Sequence, residues 1–187
     1  TSILYVDASR RYFLGGPILS MDGRNMTKER LLAFRPERID PEAVPLDDAL
    51  VLGDSRAETR VIAFLSPDCG PCSQMLQAMQ DASRDREGLV FFLKMLPADR
   101  EGEGYWKAES IAAEGSVALL EKSLAGGKVP RPTRRVPAVA QTMDLAEDLG
   151  IAAVPALLLP DGTLVEGDLS KETLLRWIAS HAQAPGQ

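Results

Sequence analysis

The only two cysteines of the chain, Cys69 and Cys72, enclose a glycine and a proline in Cys69-Gly70-Pro71-Cys72. Thiols so spaced close a disulfide on each other and reopen it, which is the chemistry of thiol-disulfide exchange. The run before them, Val61-Ile62-Ala63-Phe64-Leu65, is short and rich in strand formers, and the run after them sets Met75, Leu76 and Met79 on one helical face. The pair therefore falls at a strand-to-helix turn. At a helix N-terminus the first N–H groups lack intrahelical partners and the macrodipole favours negative charge, so a Cys69 thiolate is stabilised there. That makes Cys69 the attacking sulfur. Cys72, one turn inside the helix, resolves the mixed disulfide.

Other uses of a cysteine pair stay open on the residues alone. A structural disulfide ordinarily ties distant segments, and closing so short a loop removes little chain entropy. A metal pair calls for further ligands, and the one histidine, His181, stands near the far end. Two inert cysteines would make the strand-turn-helix setting an accident. The redox reading requires neither metal nor cofactor.

At 187 residues the chain can bury the core of one ordinary domain and carry a small appendage. Its 27 acidic residues against 21 basic ones, a net charge of −6, argue against a nucleic-acid partner. No apolar stretch approaches the ~20 residues of a membrane span. Thr1-Ser2 opens almost directly into Ile3-Leu4-Tyr5-Val6, so no secretory leader is read within the chain. Either the protein is cytosolic or its leader is absent from this sequence, and two cysteines do not choose between compartments.

Ile3 to Val6 and Tyr12 to Leu14 read as strands of a hairpin ended by Gly15-Gly16-Pro17. Thr27 to Phe34 reads as two helical turns, after which Pro36, Pro41 and Pro45 mark an extended connector. The domain boundary falls there, giving an N-terminal segment 1–45 and a main domain 46–187. Within the main domain the pattern predicts a strand at Val61 to Leu65, a helix from Cys72 to about Arg86, and a strand from Leu89 to Leu96. A helical stretch from Trp106 to Leu124 stops at Gly126-Gly127, and Lys128 to Pro137 is a basic, proline-rich loop carrying Arg131, Arg134 and Arg135. Thr142 to Leu149 is a short helix stopped by Gly150. Pro160-Asp161-Gly162 turns a hairpin between Ala156-Leu157-Leu158-Leu159 and Thr163-Leu164-Val165. Ser170 caps a last helix to about His181, with Leu169 and Leu174 spaced as a hydrophobic staple.

This order resembles the thioredoxin fold with helices inserted in its middle, an α/β class preceded here by a small β-hairpin segment. Within that fold, the residues from Ile3 to His181 resemble the DsbC/DsbG family of periplasmic disulfide isomerases. The resemblance rests on the N-terminal hairpin, the connector Pro45-Leu46-Asp47-Asp48-Ala49-Leu50-Val51-Leu52-Gly53, Val61 to Cys72, and Leu149-Gly150 through Pro155. It implies a cis proline at Val154-Pro155 beside the Cys69-Cys72 turn, with Val154 offering backbone to an extended substrate. It further implies disulfide-bearing client proteins, a membrane thiol reductase of the DsbD type as electron donor, a homodimer built through the N-terminal segment, and a periplasmic location. The sequence departs from common family patterns at three points: it has proline at position 71, valine at 154, and no cysteines for a second disulfide. A monomeric thioredoxin-like reductase and a thioredoxin-scaffold binding module, metallochaperone or chaperone, stand as alternatives.

Two charges bear on the poise of Cys69. Asp68 opposes ionisation if it points at the sulfur, and is neutral in effect if it is a solvated cap for the helix. Lys94 interrupts an apolar strand, either lying below the site as a cation that aids Cys72 or snorkelling at a sheet edge. Ala63 occupies the place, six residues before the first cysteine, where thioredoxin carries a buried acid. Met75 and Met79 read as core filler.

Overall fold

Two neighbouring strands that are apolar on both faces form the centre of the computed structural model, which describes residues 4–6, 9, 11–15, 18, 20–21, 38–132 and 136–182. In chain order the elements are β1 (Leu4–Val6), β2 (Phe13–Gly15), β3 (Leu50–Gly53), β4 (Thr59–Leu65), α1 (Gly70–Asp85), β5 (Leu89–Met95), α2 (Gly102–Glu114), α3 (Val117–Leu124), α4 (Pro137–Asp148), β6 (Ala156–Leu158), β7 (Leu164–Glu166) and α5 (Lys171–Ser180). β1 and β2 pair as an antiparallel hairpin, Tyr5 opposite Leu14. The expected helical turns at 27–34, Gly16-Pro17, Pro36, Arg134 and Arg135 lie outside the described residues.

The main sheet has the order β3-β5-β4-β6-β7. β4 and β5 run parallel, with Val61 opposite Phe91 and Ala63 opposite Leu93, and the remaining pairs are antiparallel. A parallel pair covered on both faces needs continuous apolar sequence, and all seven residues of β5 are buried. Alternation along the strands then divides the core in two. Val61, Ala63, Leu65, Leu89, Phe91 and Leu93 face α1, where Cys72, Met75, Leu76 and Met79 meet them, and Leu174 and Ile178 of α5 close that layer. Ile62, Phe64, Val90 and Phe92 face the other way, onto Ile39, Val44 and Ala57, with Leu145 and Leu149 packed alongside. Each such large side chain taken fully from water contributes roughly 1.5–3 kcal/mol, so the sheet is held firmly from both sides.

Between β5 and β6 the chain inserts three helices. The expected single stretch from Trp106 to Leu124 is two, because Gly115 turns left-handed (φ 58°) to end α2 and the Ser116 hydroxyl accepts from the Leu119 N–H at 3.2 Å to start α3. α4 begins at Pro137, five residues before the predicted start, since a proline in the first turn of a helix lacks only an N–H that would have no partner there. The loop before it is tied to α2 by the buried Ser110, whose hydroxyl donates to the Pro130 carbonyl at 2.7 Å, and Arg131 lies over the Trp106 ring at 4.8 Å.

Residues 38–45, read from the sequence as connector, pack on the second face of the sheet. Ile39 is buried and its N–H donates to the Gly162 carbonyl at 2.8 Å, while Arg38 pairs at 3.0 Å with Asp161 in the β6-β7 turn. Leu50 to Gly53, at the end of the Pro45–Gly53 connector, is the edge strand β3.

Candidate functional site

Cys69 is the N-cap of α1. Its backbone is extended (φ −94°, ψ 110°), its sulfur accepts from the Cys72 N–H at 3.2 Å, and its carbonyl accepts from the same N–H at 3.1 Å. A side chain that caps a helix sits where the unpaired N–H groups converge, so negative charge on Cys69 Sγ meets donors and the positive end of a 16-residue helix. Cys72 lies one turn on and is fully buried under the sheet-facing side of α1, whereas Cys69 is half-buried. The two sulfurs are joined in a disulfide with Cα atoms 5.2 Å apart. Gly70 and Pro71 are exposed, and a Cβ added at Gly70 would meet nothing within 4 Å. The outer surface of this turn is open.

The second part of the site arrives from the far end of the sequence. β4 ends just before the cysteine turn and pairs with β6, Phe64 opposite Ala156, which brings the segment preceding β6 beside the disulfide. The Val154–Pro155 peptide is cis, and the Val154 carbonyl oxygen lies 3.7 Å from Cys69 Sγ. Glu166 on β7 supports this loop by accepting from the N–H groups of Ala152 (2.7 Å) and Ala153 (3.0 Å). An apolar groove of about 390 Å³ continues from Val154 between Leu96, Pro97, Met143 and Ile151.

Asp68 does not cap α1, because Cys69 holds that position. Its carboxylate pairs instead with Lys107 on α2 at 2.9 Å, and Lys107 pairs at the same distance with Glu103 one turn earlier. Hydrogen bonding to Asp68 first, and to Glu103 second, raises the Lys107 ammonium above the ordinary lysine range. Beneath the same turn, the buried Ser123 of α3 donates its hydroxyl to the Pro67 carbonyl at 3.2 Å. The two residues before Cys69 are thus each fastened to the helical insertion.

Lys94 stands apart from the cysteines. It follows Val90 and Phe92 on the sheet face opposite α1, and β5 is an interior strand, so it is neither below Cys72 nor at a sheet edge. Only 3% of its side chain is exposed; its ammonium donates to the Pro45 carbonyl at 2.8 Å and to Asp48 Oδ1 at 2.6 Å. Ala63 is fully buried among the residues facing α1. Lys107, Ser123 and Glu166 escaped the sequence reading because their partners lie 39, 56 and 13–14 residues away. Among the described residues no group of three His, Cys, Asp or Glu side chains is arranged to hold a metal ion.

No family model matches the chain. Over 168 residues it is 23% identical to the probable thiol:disulfide interchange protein DsbC of Bordetella avium, an alignment covering 89% of this chain but 58% of that protein. Over 187 residues it is 24% identical to the thiol:disulfide interchange protein DsbC of Dickeya dadantii, covering 96% of this chain and 73% of the relative. Among solved structures, a disulfide interchange protein from Neisseria gonorrhoeae superimposes with a TM-score of 0.60 at 23% identity, covering 75% of this chain and 99% of that one. The chain has a thioredoxin-like fold and is similar to DsbC proteins.

The thioredoxin-like frame has a direct consequence for the site. Its sheet places the β4-α1 turn and the loop before β6 side by side, so the cysteine pair and Val154-Pro155 meet although 82 positions separate Cys72 from Val154. α2, α3 and α4 form the insertion, and two of these helices grip the approach to Cys69. No helix among the described residues is long and apolar enough to cross a membrane.

Proposed function

We propose that this thioredoxin-like chain is a thiol-disulfide oxidoreductase that isomerises or reduces disulfides of misoxidised client proteins in the periplasm. The observation that carries the reading is the half-buried Cys69 sulfur at the head of α1, receiving the Cys72 N–H at 3.2 Å and lying 3.7 Å from the Val154 carbonyl. Its similarity to two DsbC proteins supports the same reading.

In the reduced protein the Cys69 thiolate attacks one sulfur of a client disulfide. A bond forms between Cys69 and the client, and the other client sulfur leaves as a thiolate. Two outcomes follow. If a second client thiolate attacks the mixed disulfide, Cys69 departs as thiolate and the client is rearranged with no net electron transfer. If Cys72 gives up its proton and attacks Cys69 Sγ, the client sulfur leaves, and two electrons have passed from the dithiol to the client. The Cys69–Cys72 disulfide then requires a thiol donor, for which a membrane reductase of the DsbD type is the partner. Val154 offers an extended client segment backbone contact next to the sulfur, a mode indifferent to side-chain sequence. Assembly as a homodimer through the N-terminal hairpin would bring two such sites together.

Insulin reduction and reactivation of scrambled ribonuclease test this reading. Wild type should support both assays, and Cys69→Ser neither. Cys72→Ser should accumulate mixed disulfides on non-reducing gels, because the resolving sulfur is gone. Undiminished activity of Cys69→Ser would end the proposal. Insulin reduction without ribonuclease reactivation would assign a reductase alone.

A further inference from the structure

We propose that Lys107 is a positioning residue for Cys69: by neutralising the Asp68 carboxylate on the insertion helix, it keeps the reactive thiol acidic. This inference rests on the redox reading above and adds the residue that sets its poise. Three observations converge. Asp68 directly precedes Cys69, so its charge is the carboxylate nearest in sequence to the sulfur. Lys107, with 16% of its side chain exposed, holds Asp68 Oδ1 at 2.9 Å and is itself braced by Glu103 at 2.9 Å. Gly104 makes room for this arrangement, since a Cβ there would stand 2.7 Å from Asp68 Oδ2. The Asp68 carboxylate therefore rests on the first turn of α2, a helix whose N-cap residue, Glu101, makes no side-chain capping bond. There the ammonium and the helix dipole both offset its charge.

A negative charge beside a thiol disfavours the thiolate, and a cation paired to that charge cancels the effect. The helical insertion thereby acts on the chemistry through Asp68. Two further carboxylates near the site, Glu166 and Glu147, are engaged elsewhere. Glu166 holds the Ala152 and Ala153 N–H groups, and Glu147, at the groove, lies 3.7 Å from Arg100, which also pairs with Asp144.

The test is the pH dependence of thiolate formation in the reduced full chain, read by ultraviolet absorbance and assigned to Cys69 by alkylation mapping. An uncompensated charge on the adjoining residue in a partly exposed setting moves a thiol by roughly half to one pH unit. Lys107→Met should raise the Cys69 titration by about that amount, lowering the thiolate fraction below the midpoint roughly three- to tenfold. Lys107→Arg should retain the wild-type midpoint. Asp68→Asn/Lys107→Met should return most of the way to wild type, because the carboxylate adjoining Cys69 is then neutral and the remaining partner, Glu103, is 68% exposed and solvated. Lys107→Gln, which keeps a donor but no charge, replaces the methionine variant if that fails to fold. An unchanged Cys69 profile in the uncharged variants overturns the proposal and leaves Lys107 as a fastener of α2. A double variant as elevated as the single one overturns it as well, since Lys107 would then act without Asp68. Failure of the underlying reading looks different: wild-type Cys69 itself would titrate near ~8.5, as a free cysteine does.

Discussion

Replacing Lys94 by methionine removes an ammonium that is nearly sealed from solvent while keeping most of its volume. In the wild type that group satisfies the Pro45 carbonyl at 2.8 Å and Asp48 Oδ1 at 2.6 Å. Removing one member of a fully buried ion pair costs about 3–5 kcal/mol, mainly because the partner charge is left without compensation. Asp48 retains 26% exposure of its side chain and regains part of its hydration, which trims the expected loss to about 2–3 kcal/mol. Equilibrium unfolding in urea measures this, with the slope m unchanged so that the midpoint shift reports stability alone. Asp48→Asn in the same background should recover at least about 1 kcal/mol, since the uncompensated charge is then absent. Because Lys94 occupies the sheet face away from Cys72, the Cys69 titration should stay where it is. A loss below about 0.5 kcal/mol, or strictly additive effects in the double variant, would refute the reasoning about the pair. A displaced thiol titration would restore Lys94 to the site.

Gly162→Ala should destabilise the protein by about 2–4 kcal/mol and speed proteolysis near residues 38–45, because φ is +87° there and the new Cβ would fall 2.2 Å from the Ile39 carbonyl oxygen. Unaltered cleavage kinetics would show that this contact does not fasten the segment. Ser123→Ala should cost about 1–2 kcal/mol by leaving the Pro67 carbonyl without its buried donor, measured as a lowered urea midpoint. Lys107 makes a pH prediction. Its folded value lies above the ordinary 10.5, so the stability it contributes is complete below that pH and lost as pH rises through the folded value. Alkaline unfolding curves of Lys107→Met should lack that loss, and identical curves for parent and variant would count against the ion pair.

Local pattern carried the cysteine turn a long way: a strand-forming run, a helical face and a Cys-Gly-Pro-Cys junction are all short-range signals, and the Asp161-Gly162 hairpin is another. The fold class was equally legible from the order of elements. What stayed hidden depended on partners distant in sequence. Leu50 to Gly53 has only four residues, and pairing with β5 makes it a strand. Pro137 looks like loop in isolation and becomes the first turn of α4 in context. The orientation of Lys94 turned on which face of β5 meets α1, and a strand apolar on both sides does not announce that. Asp68 was read against its neighbours in the chain, while its partner is a lysine 39 residues away on the insertion.

Glu166 leaves a further mark on the loop that adjoins Cys69. By taking the amides of Ala152 and Ala153 on a single carboxylate oxygen, it ties the loop before the cis peptide to β7. Two donors gathered on one acceptor leave that stretch little freedom to rearrange, so the Val154 carbonyl is presented to Cys69 from a braced support.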